Sequence, residues 1–347
     1  MAENHNLLEE EPVCRTWARL VEIVLGVFLL VGTGVMVRYY SPPPPLDLSL
    51  SRKVVADADG KSESQREALR QSELRQSQLQ QDELRQLTRD VDELKQEQAM
   101  PALVLNRYRN SICYIFGIYH VAMPGKRPSL RARISGTGFV VAEGLLATNR
   151  HVAQPWYGDS EADALIQKGA KPELEKLVAF FPGFAQPVDI TPLVLSAHGD
   201  LAVLRVENSL AISRLRPLPL AEQVSSPGEL VAVVGYPMGI LGMVAKSPPA
   251  VYDRLAFRRD DIGAANELAA LSLIRPSATC GHLGDVVGDK LIYDAPTAHG
   301  GSGGPVFNSQ GEVIGINEAY IDGFSGGTLG VSVQALQPLI GAAQKRR

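Results

Sequence analysis

Hydrophobic and polar positions fall into three successive patterns along the chain. Residues 1–19 are polar and partly acidic, with Glu9, Glu10 and Glu11 in a row. From Leu20 to Val37 almost every position is apolar, and Glu22 is the one charge. At ~1.5 Å per helical residue, this run is about long enough to cross a bilayer's hydrocarbon layer. Trp17 before it and Tyr39-Tyr40 after it suit the two interfaces. The leader is too long and acidic for a cleaved signal peptide, and Val35-Met36-Val37-Arg38 is no small-residue cleavage site. The expectation is an uncleaved anchor over 20–38. Ser41-Pro42-Pro43-Pro44-Pro45 then opens a stiff linker over 39–61.

The second pattern runs from Ser62 to Gln98. It is rich in Glu, Gln, Arg and Leu and lacks Gly and Pro, which is helical composition. A five-residue repeat spaces Leu69, Leu74, Leu79 and Leu84 so that they wind around a helix. Only Leu84, Leu87, Val91 and Leu94 keep the 3-4-3 spacing of a coiled-coil seam. This predicts a solvated stalk over 62–99 that either pairs with copies of itself or acts as a plain spacer. Met100-Pro101 is expected to end it.

From about residue 102 short apolar strands alternate with Gly and Pro turns. The pattern predicts strands at 111–121, 131–141, 145–149, 230–236, 290–294, 305–308, 312–317 and 328–333, and a closing helix at 334–344. Residues 209–220 read as a connector. Two stretches read as inserts. One, 155–187, carries helical pieces at 161–168 and 172–176; the other, 238–289, carries a helix at 261–271. Many short strands mean an all-β sandwich or barrel filling residues 100–347.

Composition narrows the partners. The formal net charge is −4, and no basic stripe offers itself to phosphates, which argues against nucleic acid. Three cysteines, Cys14, Cys113 and Cys280, are too few for a disulfide scaffold. A Cys113–Cys280 bridge stays open for an oxidising compartment.

Candidate chemistry sits in three stretches. Gly300-Gly301-Ser302-Gly303-Gly304 sets a serine between two glycine pairs. That composition suits an exposed nucleophile with backbone N–H groups aimed at a developing oxyanion. His151 follows a predicted hairpin at the point where its strand runs out. Asp200 enters the apolar strand Leu201–Val206, where a lone carboxylate needs a partner. The order is His, Asp, Ser. The G-x-S-x-G elbow of α/β-hydrolases needs a histidine after the serine, and none follows Ser302. His120 and His198 are weaker candidates for a base, and Cys280-Gly281-His282 lacks the partner cluster a metal would need.

The stretches "GTGFVVAEGLLATNRHVA", "GDLAVLRVE", "ELVAVVGYPMG", "KLIYDAPTAHGGSGGPVFNSQGEVIGIN" and "GTLGVSV" together resemble trypsin-like serine proteases of the HtrA (Deg) group, over about residues 110–340. The resemblance implies two six-stranded antiparallel β-barrels of the chymotrypsin-like kind. His151 and Asp200 would come from the first barrel and Ser302 from the second. It implies Ser302 as nucleophile, His151 as base and Asp200 as the residue that orients it. It also implies an oxyanion hole from the N–H groups of Gly300 and Ser302. Ala298, His299, Glu318, Ala319 and Tyr320 would line the substrate pocket, with Tyr320 restricting it to modest apolar side chains. No metal or organic cofactor is expected. Polypeptide substrates, a trimer and a bacterial inner-membrane anchor with the protease on the periplasmic side complete the expectation. The chain departs from trypsin itself at Gly301, where an aspartate would pair with a newly cut amino terminus, so control by loop ordering is expected instead. No room remains before Arg347 for the PDZ domain of many HtrA proteins. The rival reading is a catalytically silent, membrane-tethered scaffold on the same fold, with the coiled coil as its working part.

Overall fold

The computed structural model describes residues 63–125, 127–320 and 327–346. The expected anchor at 20–38 and linker at 39–61 lie outside them. Among the described residues no helix is long and apolar enough to cross a membrane. The chain divides into two units, residues 1–86 and 87–347. Helix α1 (Glu63–Tyr108) supplies the described part of the first unit. There Leu69, Leu74 and Leu79 are exposed, as their five-residue spacing predicts.

The helix does not stop at Met100-Pro101. It runs on to Tyr108 with Pro101 inside it. An interior proline removes one helical hydrogen bond, commonly at ~3 kcal/mol. Burial in the following turns offsets this. Met100 and Val104 are buried, and the Tyr108 ring stacks on Phe307 with centroids 5.5 Å apart. No break in secondary structure therefore marks residues 99 and 100.

The second unit is built on twelve strands. They are β1 (Ile112–Ala122), β2 (Pro128–Ala142), β3 (Leu145–Thr148), β4 (Lys171–Phe180), β5 (Val188–Leu195), β6 (Ala202–Val206), β7 (Leu230–Gly235), β8 (Ser277–Val287), β9 (Lys290–Tyr293), β10 (Pro305–Phe307), β11 (Val313–Tyr320) and β12 (Thr328–Ser332). They form two closed antiparallel barrels, ordered β1-β2-β3-β6-β5-β4 and β10-β11-β12-β9-β8-β7. Closure leaves neither sheet an open edge. Among the described residues, seven further α-helices complete the unit: α2 (Arg150–Ala153), α3 (Ser160–Gln167), α4 (Ser209–Arg214), α5 (Gly239–Ala245), α6 (Pro249–Leu255), α7 (Asp261–Ala270) and α8 (Val333–Lys345).

Alternation fills each barrel. In the first, Cys113, Ile115, Val140, Leu146, Ala179 and Leu204 point inward and are buried. Their alternate neighbours Tyr114, Phe139, Leu145 and Phe180 join a larger cluster with Tyr236 and Phe307 of the second barrel. The buried Tyr236 hydroxyl donates to the Ile112 carbonyl across this seam, at 3.0 Å. Helix α8 leaves the second barrel and packs back on β3, β5 and β6 of the first.

Further expectations meet the structure as follows. Residues 172–176 are strand β4, not helix; Lys171–Phe180 pairs with β1. The supposed insert at 238–289 holds the helix foreseen at 261–271 but also contains β8, a full barrel strand paired with β7 and β9. The connector at 209–220 opens with α4, capped by the Asn208 side chain. Cys113 and Cys280 are both free thiols, one buried inside the first barrel and the other exposed, so no bridge joins them.

Candidate active site

β3 ends at Thr148, and Asn149-Arg150-His151 turns the chain into α2. Two side chains tie this turn to the segment before β6. The Asn149 amide donates to the Asp200 carbonyl at 2.8 Å, and the Arg150 guanidinium donates to the Ser196 carbonyl at 2.7 Å. Asp200 lies in the turn ahead of β6, two residues before the strand that its sequence context had it enter. From there it meets His151 twice. One carboxylate oxygen accepts the His151 backbone N–H at 2.8 Å, and the other lies 2.5 Å from Nδ1. The Asp200 side chain is 11% exposed and that of His151 30%. A carboxylate so enclosed needs donors. Drawing two from one residue fixes the main chain and the ring together. A proton on Nδ1, which this bond demands, leaves Nε2 as an acceptor.

The Ser302 loop is held from both barrels. The Thr137 N–H on β2 donates to the Ser302 carbonyl at 2.8 Å, and the Thr137 hydroxyl donates to the Gly300 carbonyl at 2.7 Å. That hydroxyl also accepts the Tyr236 N–H at 3.1 Å. Inside the loop Gly301 N–H donates to the Ala298 carbonyl, Gly303 N–H to the Asn317 carbonyl and Gly304 N–H to the Gly301 carbonyl. Among the described residues the N–H groups of Gly300 and Ser302 have no acceptor. Gly300 has φ 91°, and a Cβ there would sit 2.5 Å from the Tyr236 carbonyl oxygen. Gly303 has φ 86°, and a Cβ there would collide with Thr137 and Thr148. Only glycine fits either position.

The Ser302 hydroxyl has one proton to donate. Here it goes to the Glu318 carbonyl at 3.1 Å. Among the described residues no hydrogen bond joins Ser302 to His151. His151, Asp200 and Glu318 line one open cleft of about 720 Å³, together with His198, Lys290 and Ala335. Glu318 is half-buried. Burial pushes its carboxyl group up from the ordinary 4.5, and the Asp200 charge adds to this.

The other expected pocket residues are placed as follows. Ala298 is half-buried and His299 exposed, and neither lines this cleft. The His299 carbonyl accepts the Met238 N–H at 2.6 Å, with Met238 itself at φ 61°. For Ala319 and Tyr320 the backbone pairs with Leu329 and Thr328, and their side chains lie outside what is described. His120 pairs with Glu175 on the outer face of the first barrel, away from these groups.

The family model described as a trypsin-like peptidase domain matches residues 136–316, just over half of the chain. The chain belongs to the trypsin-like peptidase domain family. Among curated proteins it is 29% identical over 204 residues to a probable periplasmic serine endoprotease DegP-like of Rhizobium meliloti, covering 58% of this chain and 31% of that protein. It is 26% identical over 242 residues to the human serine protease HTRA4, covering 69% and 41%. A glutamyl endopeptidase of Staphylococcus epidermidis is 27% identical over 194 residues, covering 54% and 55%. The chain thus spans less than two thirds of the length of each of these relatives. A serine endoprotease from Yersinia pestis superposes with a TM-score of 0.45 at 16% identity, covering 70% of this chain and 65% of that one.

Within this trypsin-like domain, sequence reasoning missed the residues that hold the serine loop. Thr137 is buried, as is Thr148, whose hydroxyl donates to the Thr137 carbonyl at 2.7 Å. Asn317 is buried too. Its carbonyl receives the Gly303 N–H, and its side chain joins the Tyr293 hydroxyl at 2.8 Å to Thr297 at 3.1 Å. The one available signal was Gly136-Thr137-Gly138, a polar residue between two glycines inside an apolar strand.

Proposed function

We propose that this trypsin-like domain is a serine endopeptidase in which Ser302 attacks, His151 moves the proton and Asp200 orients the imidazole. The observation that carries the reading is the double contact of Asp200 with His151. It holds the ring in the tautomer whose Nε2 can take a proton. For attack, the Ser302 hydroxyl leaves the Glu318 carbonyl by rotation about χ1 and turns to Nε2. Its oxygen adds to the peptide carbonyl carbon while the proton passes to the imidazole. Asp200 stabilises the imidazolium that forms. The unengaged N–H groups of Gly300 and Ser302 receive the new oxyanion. The imidazolium then gives its proton to the leaving amine, and water repeats the cycle in reverse to release the acid.

We also propose the HtrA-like setting: unfolded or envelope polypeptides as substrates, and tethering through the apolar run at 20–38 with the domain outside the cytoplasm. The exposed Leu84, Leu87, Val91 and Leu94 of α1 are offered as a seam for a homo-oligomer. Pocket roles for Ala298, His299, Ala319 and Tyr320 belong to the same proposal.

The test is labelling of the full chain with a fluorophosphonate, alongside digestion of unfolded casein. Labelling and digestion are expected in the wild type and lost in Ser302→Ala. Absence of both from the wild type under every condition favours the silent scaffold.

A further inference from the structure

Helix α2, which carries His151, is a single turn. One turn has little helical stability of its own, because nucleation costs more than its few bonds return. The imidazole therefore stands only as firmly as α2 is held from outside. Buried Val152 and Ala153 hold one side. Val152 packs on Gly136, where a Cβ would sit 2.6 Å from a Val152 methyl carbon. The other side faces the turn 196–200, and three consecutive residues each make a bond to it. The Asn149 amide donates to the Asp200 carbonyl, the Arg150 guanidinium to the Ser196 carbonyl and the His151 N–H to the Asp200 carboxylate. The first and third hold Asp200 itself; Arg150 holds the base of the turn. That turn is tied as one unit. The Ser196 N–H donates to the Leu201 carbonyl at 2.9 Å, and the Ser196 hydroxyl accepts the Gly199 N–H at 3.2 Å. Where Ser196 is held thus decides where Asp200 stands.

Arg150 is half-buried, yet among the described residues it has no carboxylate partner. Its three contacts are all neutral. Nε donates to the Gln154 side-chain oxygen at 2.8 Å, Nη1 donates to the Ser196 carbonyl at 2.7 Å, and Cζ lies 4.1 Å from the centre of the Tyr157 ring. Two acceptors for the fork and an aromatic ring against the plane use the shape of a guanidinium, which an ammonium lacks. The backbone brings these groups together. The Gln154 N–H donates to the Arg150 carbonyl at 2.6 Å, and the Tyr157 N–H to the Gln154 carbonyl at 2.8 Å. Tyr157 and Ser196 line the same cleft as His151 and Asp200.

We propose that Arg150 is a positioning residue for the reaction: with Gln154 and Tyr157 it forms a clasp that fixes the turn 196–200 against α2 and so keeps Asp200 on the His151 ring. This rests on the endopeptidase reading, with His151 and Asp200 in the roles given above. Arg150 touches no reacting atom. It acts through the bond between Asp200 and Nδ1 of His151, which holds the tautomer that leaves Nε2 free to take a proton. Without the clasp the base of the turn is free to shift, Asp200 follows it, and the ring loses its fixed tautomer. Displacement of a catalytic group by ~1 Å costs up to about a hundredfold in rate.

The experiment uses the full chain as wild type, Arg150→Met, Arg150→Lys and Gln154→Met. Arg131→Met is the control, since Arg131 makes three bonds to Glu175 on the outer face of the same barrel, away from the cleft. One readout is kcat and KM on a chromogenic peptide. The other is the pair of ring 15N shifts of His151 at a pH where the ring is neutral, which report the tautomer. The wild type is expected to show the Nδ1–H tautomer. Arg150→Met should lose about tenfold to a hundredfold in kcat with KM little changed, and should show mixed tautomers. Arg150→Lys keeps the charge and should recover only part of both; Gln154→Met should move both the same way by less; Arg131→Met should match the wild type. A folded Arg150→Met with wild-type kcat overturns the inference. So does a fall in kcat with the tautomer unchanged, which is what a merely structural role gives, and so does full recovery in Arg150→Lys. If Arg150→Met does not fold, Gln154→Met decides by the same two readouts. A wild type that never turns over removes the endopeptidase reading, and the tautomer still decides whether Arg150 holds the pair.

Discussion

Thr137 and Ser302 are joined across the two barrels: the N–H of one donates to the carbonyl of the other at 2.8 Å. The first barrel thus sets the height of the nucleophile's own backbone. The Thr137 hydroxyl, between the Gly300 carbonyl and the Tyr236 N–H, sets the adjoining peptide as well.

Thr137→Val keeps the shape and removes the hydroxyl. It strands a buried carbonyl and a buried N–H, each at about 1–3 kcal/mol. We expect a loss of about 2 kcal/mol or more in urea unfolding and a fall in kcat of about tenfold, with KM little changed. Thr137→Ser should restore most of both.

Gly300→Ala introduces a Cβ at φ 91°, against the Tyr236 carbonyl. The peptide must rotate, and its N–H leaves the proposed oxyanion position. Loss of one such donor is worth about a hundred- to a thousand-fold in kcat. Steady-state turnover alongside circular dichroism checks it. A folded variant with wild-type kcat would remove Gly300 from the site.

The two described thiols should differ in reactivity. Cys113 is buried, donates to the Gly138 carbonyl at 3.4 Å, and has its ionisation pushed far up by burial. Cys280 is exposed. In a Cys14→Ser background a disulfide reagent near pH 8 should titrate one thiol in the native protein. The second should appear only on unfolding.

Asp159 caps α3. One side-chain oxygen accepts the Glu161 and Ala162 N–H groups at 2.9 Å each, and the other accepts the Tyr119 hydroxyl at 2.9 Å. Those bonds, the Ala162 N–H first, hold its carboxyl group below the ordinary 3.8. A depressed native value stabilises the fold at pH above the unfolded value, and that stability is lost as pH falls through the native one. Asp159→Ala should cost about 1 kcal/mol at neutral pH. The gap to wild type should close as the medium is acidified below the ordinary aspartate range. Urea midpoints measured across pH read this directly.

What could be read from the chain follows from how each part is stabilised. Ser302, His151 and Asp200 stand out because glycine flanks and a charge in an apolar strand are locally unfavourable without a use. Thr137 does not stand out, since threonine is an ordinary strand residue and its partners lie 163 and 99 positions away. Most barrel strands announce themselves by apolar alternation. β8 does not, because Gly281, His282, Gly284 and Asp285 interrupt it and only Leu283 of the strand is buried. β4 begins Lys171-Pro172-Glu173-Leu174-Glu175-Lys176, a helix-like composition overridden by its ladder with β1. The length of α1 was hidden by Pro101. No local rule weighs a proline against the burial of Met100 and Val104 by barrel strands two hundred residues later.

Helix α1 is covalently continuous with the first barrel yet stacks its last ring on Phe307 in the second, while α8 grows from the second barrel and lies against the first. Each of these two helices therefore straps down the half it does not belong to. The two halves should melt in a single calorimetric transition, and trimming either strap should split that transition in two.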